Sequence, residues 1–68
     1  MSDFEKIVSN LRDNENSPYQ EGTHFDVYEW ENEKEIDLRP TRFSEEWVYF
    51  YFDKDGNLLS ITLKKEVI

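Results

Sequence analysis

The side chains in this sequence that could do chemistry are carboxylates and aromatics. Between residues 26 and 37 stand six acids, Asp26, Glu29, Glu31, Glu33, Glu35 and Asp37, with Lys34 as the only base among them. Two carboxylates held in one pocket can act as general acid and base. Here acids are so plentiful that no pair stands out, and a run of charge is by default a solvated face. Like charges facing each other across paired strands cost stability, however. A short chain that keeps them points to a cationic partner, by electrostatic complementarity.

The aromatics form the second group. Trp47, Tyr49 and Tyr51 alternate along one segment, and Tyr28 and Trp30 along another. Alternation places each set on one face of a strand. If Phe25 and Val27 face a core, Tyr28 and Trp30 face away from it, with His24, and join Trp47, Tyr49 and Tyr51. Two structural readings stand beside a functional one: the segment 14–22 with Tyr19 folds over these rings, or the first hairpin has another register. The functional reading is an interaction surface, because contiguous exposed apolar area marks one and Trp and Tyr are enriched at binding hot spots.

Other constellations fall short. Asp53-Lys54-Asp55-Gly56-Asn57 places oxygen ligands at alternate positions, as a calcium loop of EF-hand type does. Counted from Asp53, position 6 is Leu58 where glycine is needed, and position 12 is Lys64 where a bidentate glutamate is needed. A turn explains the segment better. His24 beside Asp26 reads as a surface strand residue, and no serine sits in a nucleophile motif. With two glycines there is no phosphate-cradling loop. A chain this short is not expected to form a pocket of about 300 Å³ or more. These observations predict no catalytic residue, no metal site and no cofactor, hence a non-enzymatic protein.

The composition sets the outer limits. The chain has 68 residues, with 16 acidic against 8 basic side chains and a formal charge of −8. That charge argues against direct nucleic-acid binding, which draws on a basic patch. There is no cysteine, so disulfide staples and thiolate chemistry are absent, which favours a reducing compartment. The longest apolar run, Trp47 to Phe52, is six residues, whereas a spanning helix needs about 20. The expectation is a cytoplasmic protein without a membrane segment, folded around its aromatics.

These side chains need elements to position them. Phe4, Ile7, Val8 and Leu11 recur at helical spacing, so residues 2–13 read as one amphipathic helix. Ser2 caps it, and Glu5 stands where a capping box requires. Residues 14–22 form a connector rich in Asn, Ser and Pro. From Thr23 the period becomes two. Phe25 to Trp30 is one strand, and a turn covers Glu31 to Lys34. A second strand holds Ile36 and Leu38 and ends at Pro40. The last hairpin joins Trp47–Asp53 to Leu58–Leu63 through Asp55-Gly56, a pair favoured in a two-residue turn. In that register Phe52 faces Leu59, Phe50 faces Ile61 and Val48 faces Leu63. Tyr51 then faces Ser60, Tyr49 faces Thr62 and Trp47 faces Lys64 on the opposite side. A four-residue loop, Asp53 to Gly56, preserves the same facing.

The predicted fold is α+β, one N-terminal helix on one face of a four-stranded, mostly antiparallel sheet in the order α-β-β-β-β. A single domain spans 1–68, with the sheet over 23–66. The core is Phe4, Ile7, Val8, Leu11, Phe25, Val27, Ile36, Leu38, Val48, Phe50, Phe52, Leu59, Ile61 and Leu63. The expected function is that of a small acidic protein-binding module, an inhibitor or regulator that docks on a basic protein surface. Its binding residues are Tyr28, Trp30, Trp47, Tyr49 and Tyr51 with Glu29, Glu31, Glu33, Glu35 and Asp37. The alternative is a homodimer or assembly subunit that buries the aromatic face against a second copy.

Overall fold

A computed structural model describes residues 1–13 and 15–65. Helix α1 (Asp3–Leu11) is followed by β1 (Phe25–Glu29), β2 (Glu33–Leu38), β3 (Glu46–Asp53) and β4 (Leu58–Lys65). The strands form one antiparallel sheet in sequence order, as predicted. The helix is shorter than the expected 2–13, because Ser2 and Arg12 are its caps: the Ser2 hydroxyl accepts the Glu5 backbone N–H at 3.2 Å, and the Arg12 N–H closes the last turn on Val8 O at 2.9 Å. The expected end of the sheet at Glu66 lies outside the described residues.

α1 presents Phe4, Val8 and Leu11 to the sheet, where they meet Phe25, Ile36 and Phe52 in the buried cluster. Phe4 and Phe52 pack edge to face with ring centroids 5.2 Å apart. Ile7, Tyr19, Val27, Leu38 and Phe50 pack around that cluster. Tyr19 therefore lies with the core, and its ring meets His24 at 5.9 Å. His24 in turn accepts the Gln20 backbone N–H on Nδ1 at 3.0 Å. It is held inside the 20–24 turn and does not join the aromatic face as expected.

The three β4 residues assigned to the core are not buried. Leu59, Ile61 and Leu63 are 67%, 56% and 64% exposed. Ile61 and Leu63 do pair with Phe50 and Val48 as predicted, so they stand on the helix side. The reason is width. A helix about 10–12 Å across covers two or three strands spaced about 4.8 Å apart, not four. The buried cluster takes one residue each from β1, β2 and β3, and β4 is left bare.

The β3–β4 turn also departs from expectation. Asp53 donates its N–H to Asn57 O at 3.0 Å, and Gly56 N–H returns to Asp53 O at 3.0 Å. Three residues, Lys54, Asp55 and Gly56, thus form the loop, with Gly56 at φ +86°. A three-residue loop shifts the register by one. A bulge cancels the shift: Phe52 pairs with Leu58 instead of Leu59, and from Tyr51–Ser60 onward every predicted pair forms. Next to the bonded Asp53–Asn57 pair the Leu58 N–H points off the ladder, and Asp3 accepts it at 3.0 Å. Phe4 N–H donates to Gly56 O at 2.9 Å. The turn and the start of α1 are therefore tied together, which fixes the helix on the sheet.

Candidate functional site

Beyond the sheet, on the side away from α1, lies the candidate site. Its rows follow from the register. Asp26, Asp37 and Tyr49 stand side by side on β1, β2 and β3, and Tyr28, Glu35 and Tyr51 form the next row. Glu33 and Asp53 continue the pattern toward the turns. Along the strands the rings stack. Tyr28 and Trp30 lie 5.4 Å apart with planes at 2°, and Tyr49 and Tyr51 lie 6.3 Å apart at 13°. Tyr28 and Trp30 remain exposed, whereas Trp47, Tyr49 and Tyr51 are partly covered by their neighbours.

Cations occupy one end of this face. The Arg39 guanidinium lies 4.4 Å from the centre of the Trp47 ring, and Lys64 Nζ lies 5.4 Å from that of Tyr49. Arg39 is also anchored by its Nε–H to Thr23 O at 2.8 Å. The face is thus polarised, basic around Trp47 and acidic around Glu35 and Asp37. Trp47, predicted as a free binding ring, is already capped by a cation.

Electrostatics gathers the acidic end into one unit. Burial pushes the Asp37 carboxyl up to about 8, with a hydrogen bond to Glu35 and the charges of Glu35 and Asp26 adding to the shift. Its Oδ1 is buried with no hydrogen-bond partner among the described residues. Burial also raises the Tyr28 phenol, helped by Asp26, Asp37 and Glu35. Asp26, Glu35, Asp37 and Tyr28 therefore feel one another directly. The binding set predicted from sequence does not include Asp26. Its alternation with Tyr28 was visible, but its place opposite Asp37 required the β1–β2 register.

Not all predicted residues come together. Glu29 stands on the helix side of β1 and pairs with Lys34 at 3.7 Å, because it shares the parity of Phe25 and Val27. Glu31 lies exposed between the strands. Tyr28, Trp30, Glu33, Glu35, Asp37, Tyr49 and Tyr51 share the open face. Among the described residues no His, Asp and Glu side chains are grouped to hold a metal ion, and no helix is long and apolar enough to cross a membrane.

An open groove of about 410 Å³ runs between α1 and β1, lined by Phe4, Val8, Arg12, Val27 and Glu29 among others. It exceeds the volume expected for so short a chain, because a single helix lying on a flat sheet leaves a cleft along its flank. Its cation is engaged: Arg12 forms a two-pronged pair with Glu21, at 2.7 and 2.8 Å. That pairing raises the Arg12 pKa and lowers that of Glu21. The chain matches no family model, no curated protein and no solved structure.

Proposed function

We propose that the chain is a small acidic, non-enzymatic binding module, an inhibitor or regulator that docks on a basic surface of a protein partner. Its docking surface is the acidic end of the open sheet face: Tyr28, Trp30 and Tyr51 around Asp26, Glu35 and Asp37. The observation that carries this reading is the Asp26–Asp37 pair. Two carboxylates face each other across neighbouring strands, and one of them is pushed up to about 8 with a buried oxygen lacking a partner among the described residues. Near neutral pH Asp37 therefore keeps its proton, and a cation laid against the pair would let it ionise. An Arg or Lys side chain of the partner would supply that charge, while the stacked rings give it flat apolar area to lie on. The absence of cysteine supports the cytoplasm as the place of action.

Photo-cross-linking in living cells tests this reading. A photoreactive residue at position 51 is expected to capture a basic protein, whereas one at the exposed helix position 6 is not. Equal capture from both positions, or none from position 51, would refute the docking face.

A further inference from the structure

The self-association considered from sequence would bury the aromatic face. The structure directs attention to a different surface, the bare helix side and open edge of β4. Leu59, Ile61 and Leu63 stand there 67%, 56% and 64% exposed, and β4 is the terminal strand of the sheet. We propose that β4 is a dimerisation edge, on which a second copy of this chain adds its own β4, antiparallel about a two-fold axis at Ile61.

Three observations select a second copy as the occupant. The first is charge. The chain is strongly acidic, at −8, yet Leu58–Lys65 contains two lysines and no acid. It is the one strand along which two such chains approach without carboxylates meeting. The second is self-complementarity. Antiparallel pairing about Ile61 sets Leu59 opposite Leu63 and Ser60 opposite Thr62. It also brings Lys64 opposite Leu58 and Lys65 opposite Asn57, so that no lysine faces a lysine of the other copy. The third is the opposite edge. Glu21 bridges Phe25, and Gly22 N–H donates to Phe25 O at 2.8 Å, so the start of β1 is already covered. With one edge open and one obstructed, pairing closes as a dimer and does not propagate.

Each copy contributes a strand of eight residues, fewer than the roughly 20–30 residues a side of a standard interface. Pairing is therefore expected in the micromolar range. Salt should strengthen it by screening repulsion between the acidic chains.

The lack of native cysteine permits a direct test on the full chain. Residues opposite one another in an antiparallel pair lie about 4.5–5.5 Å apart at Cα, within disulfide reach. Under mild oxidation Ile61→Cys is expected to cross-link to itself. Leu59→Cys is not, because its counterpart lies four residues along the strand, about 13 Å away. Sedimentation of the unmodified chain should show twice the monomer mass, favoured by salt, and Ile61→Lys should return it to the monomer mass. If Ile61→Lys fails to fold, the cysteine comparison decides alone. The proposal is overturned by a monomer under all conditions with no preference for cross-linking at position 61. It is equally overturned by assemblies larger than a dimer, or by a dimer that survives Ile61→Lys and is lost on Tyr49→Lys.

Discussion

Single side chains show where this fold is under tension. Asp37 is an acid whose folded pKa is raised, from 3.8 to about 8. The folded chain therefore holds a proton that the unfolded chain releases near pH 4. The sign follows from linkage: stability is fully present below pH 4 and falls as pH rises toward 8. Asp37→Asn, which cannot ionise, should flatten that fall relative to the wild type in denaturant titrations at several pH values. A parallel pH dependence in both proteins would remove Asp37 as its source. The two glycines provide a second test, because both have positive φ but different surroundings. A Cβ at Gly22 (φ +87°) meets nothing within 4 Å, whereas at Gly56 (φ +86°) it would lie 2.6 Å from Ser2 Oγ and 2.8 Å from Ser2 Cβ. Gly22→Ala should cost about 1 kcal/mol from backbone strain alone. Gly56→Ala should cost about 2 kcal/mol or more, since it also displaces the cap of α1. Equal costs in thermal unfolding would mean that the turn and the cap are not coupled. The strain at Gly56 was legible from the Asp-Gly pair. Its closeness to Ser2 was not, since those residues are far apart in the chain and nothing in their types declares the contact.

At the level of elements, alternation and turn chemistry predicted four strands, their order and most of the β3–β4 pairs. The one mispaired residue shows the limit of that reading. A three-residue loop followed by one extra residue at Leu58–Leu59 returns every later side chain to the face a two-residue turn would give it, so periodicity alone does not separate them. What holds the observed loop is Asp53, which accepts N–H groups of Asp55 and Asn57 on Oδ1 at 2.9 Å and Asn57 Nδ2 on Oδ2 at 3.0 Å. These bonds lower its pKa. Asp53→Ala should cost about 1–2 kcal/mol and speed hydrogen exchange at Asp55 and Asn57 while leaving the β1–β2 amides protected. Unchanged exchange in the turn would show that the loop does not depend on this carboxylate. The missed part of the core has a similar origin. The spacing of Phe4, Val8 and Leu11 identifies which side of α1 is buried, but one helix cannot reach across four strands. The exposed aliphatics of β4 follow from that difference in width.

At the scale of the whole molecule, a slab 32 × 31 × 16 Å carries two different surfaces. The open face sets stacked tyrosines around a carboxylate group, and the β4 margin is apolar and basic. Salt should act on them in opposite directions, weakening association with a basic partner and strengthening association of the chain with itself. Net charge alone could also attract a basic protein without any particular face being used. The direct discrimination is the association rate of the partner captured from position 51, measured with two variants of identical charge. Glu33→Gln with Glu35→Gln removes two charges from the open face. Glu5→Gln with Glu29→Gln removes two from the α1 side. Docking through the open face predicts that the first pair slows association about as much as added salt does, while the second pair leaves the rate close to that of the wild type. Equal slowing by both pairs, or slowing by the helix-side pair alone, would contradict it.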